Sequence, residues 1–220
     1  MAHKQISQRT LFYLMAAFGG FLGGYTVTRC GVLASAETVN LIVLTQAIFG
    51  SDLTQVLARA GAALIFAFAI ALSTAMQLSR RIHVQFFAVL ADIIGVIIVG
   101  LLPESAGFFA LYPVFFITGF QWNAFPGACG YASSCVFSTN NYRQVIIGLT
   151  LYFKTKDREA LHRTRFFAGS LLYFHIGVAA AFFGMRYLGL PSILLCLLLI
   201  VPAGYFCAVQ DPACAQAKEK

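Results

Sequence analysis

GFLGGYTVTRCGVLAS, residues 20–35, and GFQWNAFPGACGYASS, residues 119–134, share one pattern, matching at Gly20/Gly119, Phe21/Phe120, Cys30/Cys129, Gly31/Gly130 and Ser35/Ser134. One inserted residue then pairs Asn40 with Asn140. In each copy a glycine-bearing apolar segment leads into a polar amphipathic stretch. A hydrophilic link follows (Ser51 and Asp52; then residues 154–165), and after it two more apolar segments. Self-similarity over half the chain marks a duplicated module. The expected organisation is a single transmembrane domain over residues 1–220, with repeat A at about 11–102, repeat B at about 108–208, a basic loop at 154–165 and a polar tail at 209–220.

Composition sets the medium. The 220 residues are 60% hydrophobic and 10% charged, whereas a soluble domain carries roughly a quarter charged residues. That excludes a water-soluble domain, and spans of about 20 residues each consume most of the length. Segments long enough to cross lie at 11–28, 53–78, 84–102, 108–125, 166–185 and 188–208. Two further stretches, 32–49 and 131–153, are apolar but carry Ser35, Glu37, Thr38 and Asn40, then Ser138, Thr139, Asn140, Asn141 and Arg143. They are expected to re-enter the membrane as short polar helices or to cross it, giving six spans with two re-entrant helices or, alternatively, seven or eight spans. Irregular polar backbone at membrane depth is tolerated only around protein or a cavity, so both stretches should face inward.

The net charge of +7 is topological, because basic residues flank apolar segments and form no single patch for nucleic acid. With six spans, Lys4, Arg9, Arg80, Arg81, Lys154, Lys156, Arg158, Arg163, Arg165, Lys218 and Lys220 all fall on the cytoplasmic side with both termini. Under that topology the copies enter from opposite sides, as an inverted repeat. Eight spans would move Arg80 and Arg81 outside and make the copies parallel. The basic start before residues 11–18 imitates a secretory signal, but the apolar run passes Gly24 without a small-residue cleavage site, so an uncleaved first span is expected.

The six cysteines (Cys30, Cys129, Cys135, Cys196, Cys207, Cys214) show no CxxC pair, and no His or Cys spacing suits a metal, so no cofactor is expected. HExxH, GxSxG and phosphate-loop motifs are absent from the sequence, which argues against an enzyme. The polar residues point instead to solute binding. Glu37, Thr38, Asn40, Gln121, Trp122, Asn123, Ser138, Thr139 and Asn140 are the candidate substrate contacts, since broken helices near Gly31, Pro126, Gly127 and Gly130 would present them at the midplane. The competing reading is interhelical hydrogen bonding that holds the bundle together. For Trp122 it is an interfacial aromatic belt.

Glu37 and Asp92 are intramembrane acids and hence proton-coupling candidates. Asp92 has Arg59, Arg143 or His175 as its expected partner. The spacing of Gly19, Gly20, Gly23 and Gly24 permits close helix approach, within the chain or in a homo-oligomer through glycine-rich faces. The expected partners are the lipid bilayer and a small solute, with no nucleic acid.

GFLGGY (residues 20–25), ETVN (37–40), GFQWNAF (119–125) and STNN (138–141) together resemble the YoaK-like bacterial membrane proteins, a domain of unknown function numbered 1275, over nearly the whole chain. The middle motif is the most specific. Two positions depart: the family's acid in the first motif is replaced by Gly23 or Gly24, and its Thr-Gly-Asn glycine is Val39. The resemblance implies a polytopic inner-membrane protein with no assigned reaction.

Overall fold

A computed structural model describes residues 2–79 and 82–209. Arg80, Arg81, Cys214, Lys218, Lys220 and the rest of the polar tail after Val209 lie outside the described residues. The protein is an all-α membrane protein with one short hairpin. Its elements are α1 (Ala2–Cys30), α2 (Glu37–Phe49), α3 (Leu53–Leu78), α4 (Val84–Leu101), a 3₁₀ helix (Glu104–Leu111), α5 (Tyr112–Ala124), β1 (Gly127–Ala128), β2 (Tyr131–Ala132), α6 (Thr139–Thr155), α7 (Arg158–Leu188), a second 3₁₀ helix (Leu190–Cys196) and α8 (Leu197–Val209).

The breaks have local causes. α1 stops at Gly31, whose φ of 66° only glycine adopts freely and whose N–H closes on the Val27 carbonyl at 2.8 Å. Asp52 starts α3 by accepting from the Gln55 N–H at 3.0 Å. Cys129 and Gly130, both at positive φ, make the tight turn between β1 and β2. The stretch expected as a loop at 154–165 is instead a short turn: α6 ends at left-handed Lys156, and Asp157 caps α7 by accepting from the Glu159 N–H at 2.9 Å. Arg158, Arg163 and Arg165 therefore sit on the first turns of α7.

Among the described residues five helices are long and apolar enough to cross a membrane: Gln8–Cys30, Leu53–Leu78, Val84–Leu101, Arg158–Leu188 and Leu190–Ala208. The expected span at 108–125 is made of two pieces, the end of the 3₁₀ helix Glu104–Leu111, which is kinked at Gly107, and the 13-residue α5, with Pro113 in its first turn. Nor is either polar stretch one continuous helix. α2 has 13 residues and α6 has 17, each preceded by an irregular segment, 31–36 and 125–138. Exposed Leu64, Phe68, Ile97 and Leu198 belong to the apolar outer surface.

Side-chain pairs fix the helix directions. α1 runs parallel to α7, with Tyr13 donating to the Phe166 carbonyl at 3.1 Å and Gly20 against Phe174 farther along. α3 runs parallel to α5, since Tyr112 donates to the Ala58 carbonyl at 3.0 Å and Asn123 reaches Ser73 at 2.8 Å. α1 is antiparallel to α5, as Gln121 donates to the Met15 carbonyl while Cys30 lies by Gly107. α4 is antiparallel to α8, with Gly100 on Leu194 and Gly204 on Val89. Further packing joins α2 to α3, α6 to α7, α4 to α5 and α8 to α1.

Backbones approach closely where glycine allows it. A Cβ on Gly20 would collide with the Phe174 carbonyl, one on Gly177 with the Ala17 carbonyl and one on Gly119 with the Phe66 carbonyl. On the glycine face of α1, Gly20 and Gly24 pack on α7, while Gly19 meets the Cys135 carbonyl. Only glycine leaves room for two backbones there.

Candidate functional site: a cavity between two helix starts

After α1 the chain turns at Gly31 and runs back into the bundle. The Ala34 N–H donates to Thr26 Oγ1 at 3.3 Å, Thr118 Oγ1 lies 3.1 Å from the Ala34 carbonyl, and Ser35 faces Gly23. After α5 the chain also returns. The Cys135 carbonyl lies over Gly19, and Gln121 Nε2 contacts Cys135 Sγ at 3.3 Å. Both α2 and α6 therefore begin partway along the neighbouring helices, at the level of Gly23 on α1 and Phe174 on α7.

Between these two helix starts lies a cavity of about 710 Å³. Glu37 and Thr38 from α2, Ser138 and Thr139 from the start of α6, and Ser35 supply polar groups, and Thr28 adds a hydroxyl that already donates to the Gly24 carbonyl. Phe66, Trp122, Phe137 and Phe174 form aromatic walls, and Gly23 and Gly24 expose the backbone of α1. Val27, Leu41 and Phe182, each about half exposed, form its outer edge.

The residues before the two helices, Ala36 and Ser138, give no side-chain cap, so the first-turn N–H groups of α2 and α6 receive no side-chain acceptor from those positions. Ser35 is 1% exposed and its Oγ has no hydrogen-bond partner among the described residues. Glu37 Oε2 accepts from Asn40 Nδ2 at 2.7 Å, while its Oε1 is buried without a partner.

Of the expected contacts, Glu37, Thr38, Trp122, Ser138 and Thr139 come together around the cavity; Asn40, Gln121, Asn123 and Asn140 do not line it. Asn40 is fully buried, donating to Glu37 and to the Arg59 carbonyl. Gln121 donates to the Met15 carbonyl at 3.2 Å, and Asn123 spends its amide on Ser73 and Thr74 of α3. The second buried amide is Asn141, not Asn140: it donates to the Ser134 carbonyl at 2.7 Å and to Ser170 at 3.2 Å, and accepts from Ser133. Each is held by the bundle because an amide at this depth needs partners. Trp122 sits edge-on to Phe137 with ring centroids 5.1 Å apart, in the cavity wall.

Asp92 is fully buried on α4, outside the cavity lining, and both its carboxyl oxygens lack hydrogen-bond partners among the described residues. None of the expected partners reaches it. Arg59 lies over the Phe108 ring at 4.6 Å, His175 Nδ1 sits by the Leu171 carbonyl at 2.8 Å, and Arg143 is exposed. Where the hairpin meets α7, Tyr131 donates to Glu159 at 2.6 Å; burial first, then that carboxylate, pushes the phenol up to about 12.

Sequence reasoning missed Ser35, Phe66, Phe137 and Phe174 as lining residues. Nothing distinguishes the three phenylalanines among the chain's 22. A usable signal existed for the helix starts: Thr38-Val39-Asn40 and Thr139-Asn140-Asn141 both read Thr-x-Asn, with the threonine in the cavity and the asparagine behind it.

No curated protein and no solved structure matches the chain. A family model does match, over residues 11–205. The chain belongs to that family, described as protein of unknown function (DUF1275).

Proposed function

We propose that the chain is a small-solute secondary transporter or permease whose substrate cavity lies between two inverted halves. The observation that carries this reading is the convergence of two uncapped helix starts on one polar-and-aromatic cavity partway through the bundle. Transporters built from repeats place broken helices at such a position so that half-helix ends and backbone groups meet the substrate. The packing supports the duplication. Exchanging α1 with α5, α2 with α6, α3 with α7 and α4 with α8 maps the principal contacts (α1 on α7, α2 on α3, α1 on α8, α4 on α8) onto contacts also present. The register follows from equivalent positions: Gly19 meets the Cys135 carbonyl and Thr118 the Ala34 carbonyl, which pairs Thr38 with Thr139 and Asn40 with Asn141.

In this reading α1, α3, α4, α5 with its preceding 3₁₀ helix, α7, and α8 with its 3₁₀ helix make six crossings, and α2 and α6 enter halfway. Because α1 and α5 are antiparallel, the symmetry axis lies in the membrane plane. Both termini and the α6–α7 turn are cytoplasmic, in a bacterial inner membrane as the YoaK-like resemblance implies. Glu37, in the cavity wall, and Asp92, buried without a cation against it, are the proton-coupling groups; the chain performs no covalent chemistry. The bundle-bonded amides Asn40, Gln121, Asn123 and Asn141 favour a scaffold role for themselves alone. Trp122, the single tryptophan, gives the test. In proteoliposomes its fluorescence should be quenched by aqueous acrylamide. A tryptophan quenched by brominated lipid and untouched by acrylamide would replace the transporter with a packed scaffold.

A further inference from the structure

The chemistry of the cavity wall specifies more than a small solute. Its one ionisable side chain is Glu37, and no Lys, Arg or His lines it; the cation nearest in effect to Glu37, Arg59, lies outside the lining, over the Phe108 ring. Opposing that carboxylate are two helix N-termini, each equivalent to roughly half a positive charge. Within the wall itself the sum is close to neutral, which disfavours both a net anion and a net cation there.

Two kinds of hydrogen-bonding demand coexist. Ser35 carries a hydroxyl without a partner at 1% exposure, and it stands with Thr38, Ser138, Thr139 and the uncapped N–H groups as a donor set. Glu37 Oε1, buried and unpaired, needs a donor. Leaving buried polar groups unmatched is costly, so the occupant should bring an acceptor and a donor together. The remaining wall, Phe66, Trp122, Phe137 and Phe174, suits an apolar or aromatic body.

We infer that the cavity takes a zwitterion with an apolar or aromatic body, of the α-amino-acid type. Its carboxylate meets the two helix starts beside Ser35, its ammonium meets Glu37, and its side chain lies among the aromatic walls. This inference rests on the transporter reading of the same cavity. A carboxylate alone would face Glu37 with no cation between them, an amine alone would face two helix N-termini, and a hydrocarbon would leave Ser35 and Glu37 unsatisfied.

Three ligands sharing one ring separate these cases: phenylalanine, phenylacetate and phenethylamine, titrated against Trp122 fluorescence of the full chain in proteoliposomes. Phenylalanine should saturate at a concentration at least tenfold below either of the others. Glu37→Gln should weaken phenylalanine at least tenfold and shrink its advantage over phenylacetate. Ser35→Ala, which removes a hydroxyl with no protein partner and so leaves the fold intact, should weaken phenylalanine and phenylacetate but not phenethylamine. If phenylacetate or phenethylamine binds as well as phenylalanine, or none saturates while acrylamide still reaches Trp122, the substrate class is wrong and the cavity reading stands. If acrylamide does not reach Trp122, both fall.

Discussion

Thr118 Oγ1 on α5 lies 3.1 Å from the Ala34 carbonyl and shares its one proton between that carbonyl and the Val114 carbonyl of its own helix at 2.7 Å, tying the middle of one helix to the segment that returns into the bundle after α1. That segment has no helical ladder of its own, so its backbone groups depend on such contacts. Thr118→Val keeps the shape and removes the donor. The loss should be about 1 to 3 kcal/mol, read as a lower melting temperature in detergent, and Thr118→Ser should restore most of it. Equal melting of the valine and wild-type chains would mean that the segment is held by other means.

Close backbone packing of α1 on α7 makes the strongest stability prediction. Gly20→Leu and Gly177→Leu place a side chain on the Phe174 and Ala17 carbonyls, which cannot move independently of their helices. Neither variant should elute as a monodisperse folded species in size-exclusion chromatography. Gly31→Ala meets open space and strains only the positive φ, so it should fold with a loss of about 1 kcal/mol.

The buried amides and the cavity hydroxyls should separate by what they break. Asn40→Leu and Asn141→Leu leave the Arg59 carbonyl and the Ser134 carbonyl without their donors, a cost of about 1 to 3 kcal/mol each in thermal unfolding. Thr38→Val and Thr139→Val alter exposed cavity positions and should change melting little while reducing solute binding. Binding loss without destabilisation in the asparagine variants would reverse these roles.

Orientation is tested at the α6–α7 turn. Exposed Lys156, replaced by cysteine, should react with a membrane-impermeant maleimide in inside-out vesicles and resist it in intact cells. Labelling in intact cells would invert the topology.

Each feature of the fold leaves its own kind of signal in the sequence. Apolar length gave the membrane class and most helices, and the matched Gly20/Gly119 pair pointed to two positions that both meet a carbonyl of a neighbouring helix. The turn at Lys156 was read as a loop because charge alone was weighed, while the Asp157 cap was not. The Asn40/Asn140 match slipped by one residue: identity of type could not choose between adjacent asparagines, whereas burial chooses Asn141. Asn40, Gln121 and Asn123 looked like site residues because a polar side chain in an apolar run signals inward orientation only. Whether its partner is a solute or a carbonyl depends on neighbours far away in sequence, such as Met15 for Gln121.

The central claim is that α2 and α6 begin at one water-accessible cavity. The most direct measurement places single cysteines at Thr38 and at Thr139 in a chain whose six native cysteines are replaced by alanine, and follows reaction with a small charged methanethiosulfonate in proteoliposomes. Both positions should react, and in the double variant modification of one should slow the other, because a shared cavity of about 710 Å³ has limited room for two adducts. Two inert positions, or two that react at independent rates, would contradict a single cavity between the helix starts.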